Sequence, residues 1–438
     1  MKQHIRFSLV TLAIASLAGS ALAQTQGYAV GFGPNAQLPA QEKSLIPTVN
    51  VATAIGWPSG GKPVAAAGMS VAAYATGLDH PRWLYMLPNG DILVAETNTP
   101  PKEEKEKHQL KAAAMGVAMK KAGAGVQTPN RITLLRGIGA NGQAATKTVF
   151  MEGLNSPFGM TLVGNELFIA NADAIVKVPY KTGDTRISAK PVKVADLPAG
   201  INHHWTKNII ASKDGKFLYA TVGSNSNVGE NGMDKEEGRA AIWQFDRATG
   251  KGKIFASGLR NPNGLAWNPQ SGMLWTAVNE RDELGNDLVP DYITSVKEGA
   301  FYGWPYSYYG QNVDTRIQPQ KPELVAKAIA PDYAMGAHTA SLGLAFYDGA
   351  LFPQLKNGAL VGQHGSWNRK PASGYKLVFV PFADGKPNGP PQDILTGFLA
   401  PDGKAWGRPV GVIADKTGAI LLADDVGNVI WRVTPAAK

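Results

Sequence analysis

The apolar residues of this chain fall into short runs separated by turns rich in glycine, proline and asparagine. Runs of this kind predict β-strands rather than helices. The clearest example is residues 258–267, where a Gly-Leu-Arg-Asn-Pro loop leads into an apolar segment that ends in Leu-Ala-Trp. A turn and a second apolar run at residues 273–278 follow. This stretch therefore predicts a loop followed by a two-stranded hairpin.

The same frame of loop, strand, turn and strand occurs six times. The copies start near residues 77, 153, 200, 258, 337 and 407, and those near 200 and 337 have lost the proline. A repeat of roughly 47 to 80 residues built from short strands is typical of a β-propeller blade with variable insertions. The sequence therefore predicts an all-β fold, a six-bladed β-propeller.

Three segments lie outside the repeat. Residues 1–23 combine basic residues, an apolar run and an Ala-Leu-Ala site, which is typical of a secretory signal peptide. Residues 24–70 predict an N-terminal extension that wraps the propeller, which itself is expected to span residues 71–438. Within the first blade, strong helix formers predict a helical insertion near residues 100–125. We expect a periplasmic protein without a membrane span once the signal is removed.

The composition narrows the chemistry. The chain contains no cysteine, which excludes disulfides, thiolate metal sites and covalently attached c-type haem. The formal net charge is +9, but the basic residues form no block and do not alternate with aromatic residues. Nucleic-acid binding is therefore not expected. The positive charge favours anionic ligands instead.

The copies of the repeat differ most at the two positions before the proline. The innermost strands of all blades begin at the same end of the propeller channel, so these positions line one opening. The predicted ring comprises Asp79 and His80, Asn155 and Ser156, His204 and Trp205, Arg260 and Asn261, Thr339 and Ala340, and Gly407 and Arg408. Its two arginines indicate a ligand that carries carboxylates. Its histidine at position 204 is a candidate proton acceptor, although on its own a hydrogen-bonded loop histidine is the simpler interpretation.

The interval after the fourth copy is acidic and then aromatic. Five carboxylates lie within residues 280–291. Such a loop would supply oxygen ligands to Ca²⁺, but the spacing is not that of an EF-hand and a solvated turn accounts for it equally well. The aromatic run at residues 301–310 would either form a pocket wall or pack against the blades, and packing is the favoured interpretation.

These motifs resemble the soluble pyrroloquinoline quinone (PQQ)-dependent glucose/sorbosone dehydrogenase family, which has a six-bladed propeller. The resemblance extends from about residue 71 to the end, and its most specific parts are the 258–266 loop and the Tyr-Gly-Trp-Pro segment at residues 302–305. The 279–292 loop and the Gly-Ser-Trp-Asn-Arg segment at residues 365–369 look more like the sorbosone dehydrogenase branch.

The resemblance implies a role for each ring residue. His204 would be the general base that takes the hydroxyl proton, and Arg260 would polarise the C5 oxygen of PQQ with Asn261 beside it. Arg408 would hold a cofactor carboxylate, and Asn155 would place an amide on the quinone. These roles imply oxidation of an aldose or sorbosone-type sugar, with electrons passed to an external acceptor.

Three departures from the family pattern concern the site. The acid that orients the histidine in this family is replaced by Ser224, with Glu230 or Asp234 as substitutes. The lysine that binds the cofactor falls in a longer loop, which leaves Arg369 and Lys370 as candidates.

The third departure concerns the metal. The Gly-Pro pair that presents carbonyls to calcium is replaced by Asp282 and Glu283. The predicted metal ligands are Glu280, Asp282 and Glu283.

Two other functions fit the same pattern. A calcium-dependent lactonase would use Asp79, Asn155 and Asn261 as metal ligands, although a pair of arginines close to the ion would weaken its binding. A binding propeller without catalytic activity would keep the fold and use its loops to hold a partner.

Overall fold

A computed structural model describes residues 28–42, 48–101 and 109–437 of the chain. The described part is mostly β-strand, organised as six antiparallel sheets that each have four principal strands. The innermost strands of successive sheets contact one another and close into a ring. The prediction of a six-bladed β-propeller is confirmed. The predicted signal peptide lies outside the described residues.

The first half of the molecule contains an N-terminal segment and blades 1 to 3. The N-terminal strands are β1 (Phe32–Gly33), β2 (Val64–Ala65) and β3 (Met69–Ala75). Blade 1 comprises β4 (Pro81–Met86), β5 (Ile92–Glu96), β6 (Arg131–Arg136) and β7 (Thr146–Met151), with helix α1 (Gln109–Lys121) between β5 and β6. Blade 2 comprises β8 (Met160–Val163), β9 (Glu166–Ala170), β10 (Ala174–Pro179) and β11 (Val192–Asp196). Blade 3 comprises β12 (Ile209–Ala211), β13 (Phe217–Val222), β14 (Ala241–Asp246) and β15 (Gly252–Ser257), with a 3₁₀ turn at Met233–Glu236.

The second half contains blades 4 to 6. Blade 4 comprises β16 (Asn261–Trp267), β17 (Leu274–Asn279), β18 (Pro290–Ser295) and β21 (Tyr333–Ala337), with β19 (Ser307–Tyr308), β20 (Asn312–Val313) and helix α2 (Pro322–Val325) inserted before β21. Blade 5 comprises β22 (Ser341–Phe346), β23 (Ala359–Gln363), β24 (Lys376–Val380) and β27 (Gln392–Thr396), with a 3₁₀ turn at Pro353–Leu355 and the hairpin of β25 (Phe382–Ala383) and β26 (Lys386–Pro387). Blade 6 comprises β28 (Pro409–Ala414), β29 (Ile420–Asp424) and β30 (Val429–Pro435), and it is completed by β3.

The N-terminal segment joins three blades. Strand β3 pairs antiparallel with β30 and supplies the outermost strand of blade 6, so the two ends of the propeller close on each other. Strand β1 adds to the edge of blade 4 through β21, and β2 adds to the edge of blade 5 through β27. This segment therefore covers sheet edges that would otherwise present unpaired backbone groups.

The glycine found in four of the six copies of the repeat has a packing reason. A side chain at Gly343 would place its Cβ 2.2 Å from the carbonyl oxygen of Val410 on the next inner strand. The equivalent glycines at 159, 264 and 411 are crowded in the same way, at 2.3 to 2.7 Å from the neighbouring blade. Only glycine allows the inner strands to approach this closely around the channel.

Two local predictions can be compared with the structure. Helix α1 lies in the predicted insertion near residues 100–125, which confirms its helical character. The tyrosines and the tryptophan of the aromatic run at residues 301–310 are buried, several of them in the core of blade 4, as the packing interpretation expects. No helix among the described residues has the length and apolar character needed to cross a membrane.

Candidate active site at one rim of the channel

One end of the propeller channel gathers the starts of the inner strands and the ends of the second strands. The antiparallel pairing places Asn261 opposite Asn279 in blade 4 and Pro409 opposite Asp424 in blade 6. Residues that follow the second strands therefore lie beside the predicted ring. We call this end of the channel the rim.

His204 lies on the rim just before β12. Its Nδ1 lies 2.9 Å from the carbonyl oxygen of Ser224 and 3.0 Å from the Ser224 hydroxyl oxygen. Because that hydroxyl donates its proton to the carbonyl of Ser226 at 2.6 Å, both Ser224 oxygens are acceptors towards the ring. Nδ1 therefore carries the imidazole proton, and Nε2 keeps its lone pair.

The surroundings of His204 favour its neutral form. Burial lowers its pKa well below the ordinary value of 6.5, and the positive charges of Arg260, His203 and Arg239 act in the same direction. Ser224, rather than either acid suggested by the sequence, is the partner of Nδ1. The Glu230 carboxylate instead accepts the main-chain N–H groups of residues 227 and 228.

A buried lysine holds the loop that carries His204. The Lys207 ammonium is fully buried and donates to the Asn202 side chain at 3.0 Å, to the carbonyl of Trp205 at 3.2 Å and to that of His204 at 3.4 Å. Burial, followed by the charge of Arg239, lowers the pKa of Lys207 well below 10.5. Sequence reasoning missed this lysine, because nothing in the repeat indicates that its amine points into the protein.

Arg260 is enclosed by main-chain and side-chain acceptors. Its Nε donates to the carbonyl of Asn227 at 3.2 Å, and one terminal nitrogen donates to the carbonyls of Asn279 and Glu280 at 3.4 and 2.7 Å. The other terminal nitrogen contacts the Asn227 amide oxygen at 3.0 Å and an Asp282 carboxylate oxygen at 3.4 Å. All five N–H groups therefore have partners within the protein, so a ligand would have to replace one of them.

Asp282 joins Arg260 to blade 5. One carboxylate oxygen faces Arg260, and the other accepts from Nδ1 of His338 at 3.2 Å and from the Asn368 amide at 2.8 Å. Nε2 of His338 donates to the carbonyl of Gly285 at 2.8 Å. Burial alone would lower the pKa of His338, but Asp282 and the Gly285 carbonyl raise it, because both ring nitrogens face acceptors.

The three predicted calcium ligands face different partners. Asp282 is engaged as described, and Glu283 pairs with Arg316 at 3.7 Å. The Glu280 side chain accepts from the Arg281 N–H at 2.9 Å, and burial raises its pKa to about 8 despite the nearby charge of Arg260. Within residues 28–42, 48–101 and 109–437, no three His, Cys, Asp or Glu side chains form a group that could hold a metal ion.

A second charged group occupies the rim between blades 1, 5 and 6. We call it the Asp425 cluster: Asp425, His80, Arg82 and His364. The Asp425 carboxylate lies 2.7 Å from Arg82, 3.4 Å from Nε2 of His80, and 2.9 and 3.1 Å from Nε2 of His364. Burial alone would raise the pKa of Asp425, but these three neighbours lower it strongly. The ring positions included His80, but the sequence did not reveal that Asp425 and His364 lie beside it, because these two residues follow strands of other blades.

Arg408 borders the Asp425 cluster. Its Nε donates to the carbonyl of His364 at 3.1 Å, and one terminal nitrogen donates to the Gly365 carbonyl at 3.1 Å and to the Tyr375 hydroxyl at 3.0 Å. The other terminal nitrogen has no hydrogen bond to any described residue. The Arg82 guanidinium in turn lies 5.6 Å from the ring of Trp205, the residue after His204.

The remaining candidates lie at different depths. Asn261 is buried beside His204, since a Cβ on Gly223 would be 2.5 Å from its amide oxygen and 2.6 Å from the His204 Cβ. That amide oxygen is buried without a hydrogen-bond partner.

The other three candidates are not enclosed in this way. Asn155 is half-buried before blade 2. Arg369 pairs with Asp287 at 2.6 Å, and Lys370 is exposed. The structure thus brings His204, Arg260 and Asn261 together, places Arg408 beside the Asp425 cluster, and ties Arg369 to the acidic loop.

Comparison with known proteins identifies the family. The family model described as glucose/sorbosone dehydrogenase matches residues 164–366. An uncharacterized protein from Borreliella burgdorferi is 32% identical over 293 residues, which are 64% of this chain and 76% of that protein. The chain belongs to the glucose/sorbosone dehydrogenase family. A second model, described as TrAA12-like, matches residues 310–436.

Two named relatives match over shorter portions of their own length. The aldose sugar dehydrogenase of Escherichia coli is 34% identical over 135 residues, 30% of this chain and 32% of that protein. The pyrroloquinoline quinone-dependent pyranose dehydrogenase of Coprinopsis cinerea is 26% identical over 297 residues, 53% of this chain and 40% of that protein. The family model does not separate the sorbosone branch, which stays a prediction.

Solved structures show the same fold. The holo form of the Coprinopsis cinerea pyranose dehydrogenase PQQ domain superposes with a TM-score of 0.67 at 20% identity, covering 85% of this chain and 97% of that one. The calcium structure of the Trichoderma reesei carbohydrate-active enzyme of family AA12 gives a TM-score of 0.68 at 18% identity, covering 90% and 99%.

Proposed function

We propose that the protein is a PQQ-dependent dehydrogenase that oxidises an aldose or a sorbosone-type sugar. Family membership supports the reaction class, and the observation that carries the proposal is the state of His204. Its Nδ1 proton is held by Ser224, so Nε2 is available to take a hydroxyl proton from the substrate. When bound, the quinone would supply the hydride acceptor.

The residues at the rim fit a planar ligand that carries carboxylates. Arg408 keeps one terminal nitrogen without a hydrogen bond to the described residues, and that nitrogen would bind a cofactor carboxylate. Asn261 offers a buried amide without a partner for its oxygen. Arg260 would act on the ligand only by exchanging one of its present partners, and Asn155 would complete the polar wall. Arg369 and Lys370 remain candidates for a further contact.

A calcium ion at the cofactor is proposed only because the sequence resembles the PQQ-dependent dehydrogenase family. The carboxylates of Glu280, Asp282 and Glu283 face the separate partners described above, and no three acidic or histidine side chains among the described residues form a group that could hold a metal ion. These residues therefore do not fit a calcium ion in the arrangement seen here, and the proposed mechanism uses no step that depends on it. Periplasmic location and transfer of electrons to an external acceptor are proposed on the same basis.

A titration with PQQ tests this function. We expect saturable binding at micromolar PQQ, followed by tryptophan fluorescence, and dye reduction with sugars of a panel. Arg408→Ala is expected to weaken PQQ binding at least tenfold, because a charge-assisted hydrogen bond contributes about 1.5–3 kcal/mol. His204→Ala is expected to keep PQQ binding and to lower turnover about 100-fold or more.

The control is Arg247→Ala, which removes an arginine paired with Glu166 at 2.9 Å at the end of the propeller opposite the rim. This substitution should change neither PQQ binding nor turnover. Absence of PQQ binding at micromolar concentrations would refute the proposed function, and full turnover by His204→Ala would refute the role of the histidine.

A further inference from the structure

The Asp425 cluster contains a histidine oriented by a carboxylate. The Asp425 side chain is 1% exposed, and both of its oxygens lie within hydrogen-bond distance of Nε2 of His364. An ionised carboxylate only accepts, so Nε2 carries the ring proton and Nδ1 keeps the lone pair. The His364 side chain is 15% exposed, so the ring is reachable from solvent. A histidine with a carboxylate on one ring nitrogen and a lone pair on the other can activate a hydroxyl group or water.

A structural ion pair does not account for the cluster. Arg82 alone already neutralises Asp425 at 2.7 Å. Burial lowers the pKa of His364 to about 4, and the charges of Arg408 and Arg82 act against the opposing effect of Asp425. His364 is therefore neutral at pH 7. One carboxylate and two guanidinium groups then leave a net positive charge around a neutral imidazole.

We propose that the Asp425 cluster activates water for attack on the carbonyl carbon of a sugar lactone, giving the chain a hydrolytic activity separate from the oxidation. The choice of a lactone rests on the proposed function, because oxidation of a cyclic hemiacetal yields a lactone. The activity itself requires no oxidant. It would convert the lactone formed by the proposed oxidation into an open-chain hydroxy acid.

The step balances with the groups present. Nδ1 of His364 takes a proton from water as the water oxygen bonds to the carbonyl carbon, and the carbonyl oxygen becomes an oxyanion. The new imidazolium is stabilised by the Asp425 carboxylate on its other nitrogen. When the oxyanion collapses, the ring C–O bond breaks and the imidazolium returns its proton to the leaving oxygen. The product is the hydroxy acid, and His364 is neutral again.

The charge distribution favours this step at His364 over His204. A proton on His364 lies beside a carboxylate at 2.9 Å, whereas a proton on His204 would lie among Arg260, His203 and Arg239. The guanidinium groups of Arg82 and Arg408, which keep His364 neutral at rest, also favour negative charge on the carbonyl oxygen.

The test uses the purified full chain without PQQ, in the presence of EDTA. Ring opening of glucono-δ-lactone is followed by acid release at constant pH. We expect a rate above the spontaneous rate that falls at least tenfold in His364→Gln, while His203→Gln keeps the wild-type rate. The rate of the wild-type protein should rise through a single ionisation near pH 4, where His364 loses its proton.

Several results would overturn this proposal. These are no acceleration by the wild-type protein, equal rates in His364→Gln, or loss of the activity in EDTA, which would indicate a metal-dependent lactonase instead. If His364→Gln does not fold, as judged by circular dichroism, the pH profile decides: an ionisation centred near pH 7 contradicts the assignment. Failure of PQQ binding would remove the proposed oxidation but leave this measurement unaffected.

Discussion

Two histidines on the same rim differ in what holds them. His204 is oriented by the neutral oxygens of Ser224 and lies near the guanidinium groups of Arg260 and Arg239. His364 is oriented by the buried carboxylate of Asp425. Both are neutral at pH 7, yet only the second has a counter-charge for the proton it would accept. The serine at position 224 thus leaves His204 without a carboxylate partner, whereas His364 has one.

The burial of His364 should make the free energy of unfolding depend on pH in the acid range. In the unfolded chain its imidazole binds a proton below about pH 6.5, whereas in the folded protein it stays neutral down to about pH 4. Its contribution to the free energy of unfolding is therefore complete above pH 6.5 and is lost as the pH falls to 4. The contribution that is lost once the pH lies below 4 is about 3 kcal/mol.

We expect the free energy of unfolding of His364→Gln, measured in urea between pH 7 and 4.5, to fall less with decreasing pH than that of the wild-type protein, by about 2 kcal/mol. Parallel curves for the two proteins would contradict the buried neutral state.

At the scale of elements, the loops before the inner strands carry the chemistry because the strands themselves are fully committed to packing. Glycine in or directly before four of the six inner strands lets neighbouring blades touch, and most residues of strands such as β16 and β22 are buried. The loop before β12 has no such ladder of backbone bonds. Within it, Lys207 forms three hydrogen bonds, alongside the hydrogen bond from the His204 N–H to the Ser224 carbonyl and that between the Thr206 and Asn263 side chains.

Replacing that lysine should loosen the loop. Lys207→Met keeps the length of the side chain but removes the donor to the carbonyl oxygens of His204 and Trp205, while the Asn202 amide oxygen keeps its hydrogen bond from Arg239. We expect a loss of about 2–4 kcal/mol in the free energy of unfolding, measured with urea. Lys216→Met, in the exposed turn between β12 and β13, should change it by less than about 0.5 kcal/mol. Equal effects of the two substitutions would show that the buried amine does not hold the loop.

At the scale of the whole molecule, stability depends on closing the ring. The chain has no cysteine, so packing and strand pairing must hold the two ends together. Strand β3 does this by pairing with β30 over Met69–Ala75. Without it, blade 6 would expose the edge of β30 and lose the apolar contacts of Val71 with the blade core.

A truncation that removes residues 1–76 should therefore abolish cooperative thermal unfolding and promote association through the free edge of β30. A truncation that removes residues 1–27 leaves every described strand in place and should unfold cooperatively. Circular dichroism and light scattering measure both properties. A cooperative, monomeric 77–438 fragment would contradict the role of β3 in closure.

The sequence alone was sufficient for the six-bladed fold, because the period of the repeat and the short apolar runs are local properties of the chain. It also predicted that His204, Arg260 and Asn261 would share one rim, since equal positions in equal repeats occupy equivalent places. The helical insertion followed from composition in the same way.

Only the tertiary structure decided which groups touch. Asp425, His364 and Arg82 belong to three blades, and Asp282 reaches from blade 4 to His338 and Asn368 of blade 5. No local sequence pattern predicts such contacts, because they depend on the path that each loop takes across the rim. For the same reason, the saturation of Arg260 by main-chain carbonyls and the inward course of Lys207 could not be predicted. The strand positions follow from periodicity, whereas the charge environment of each side chain follows from the packing of the blades.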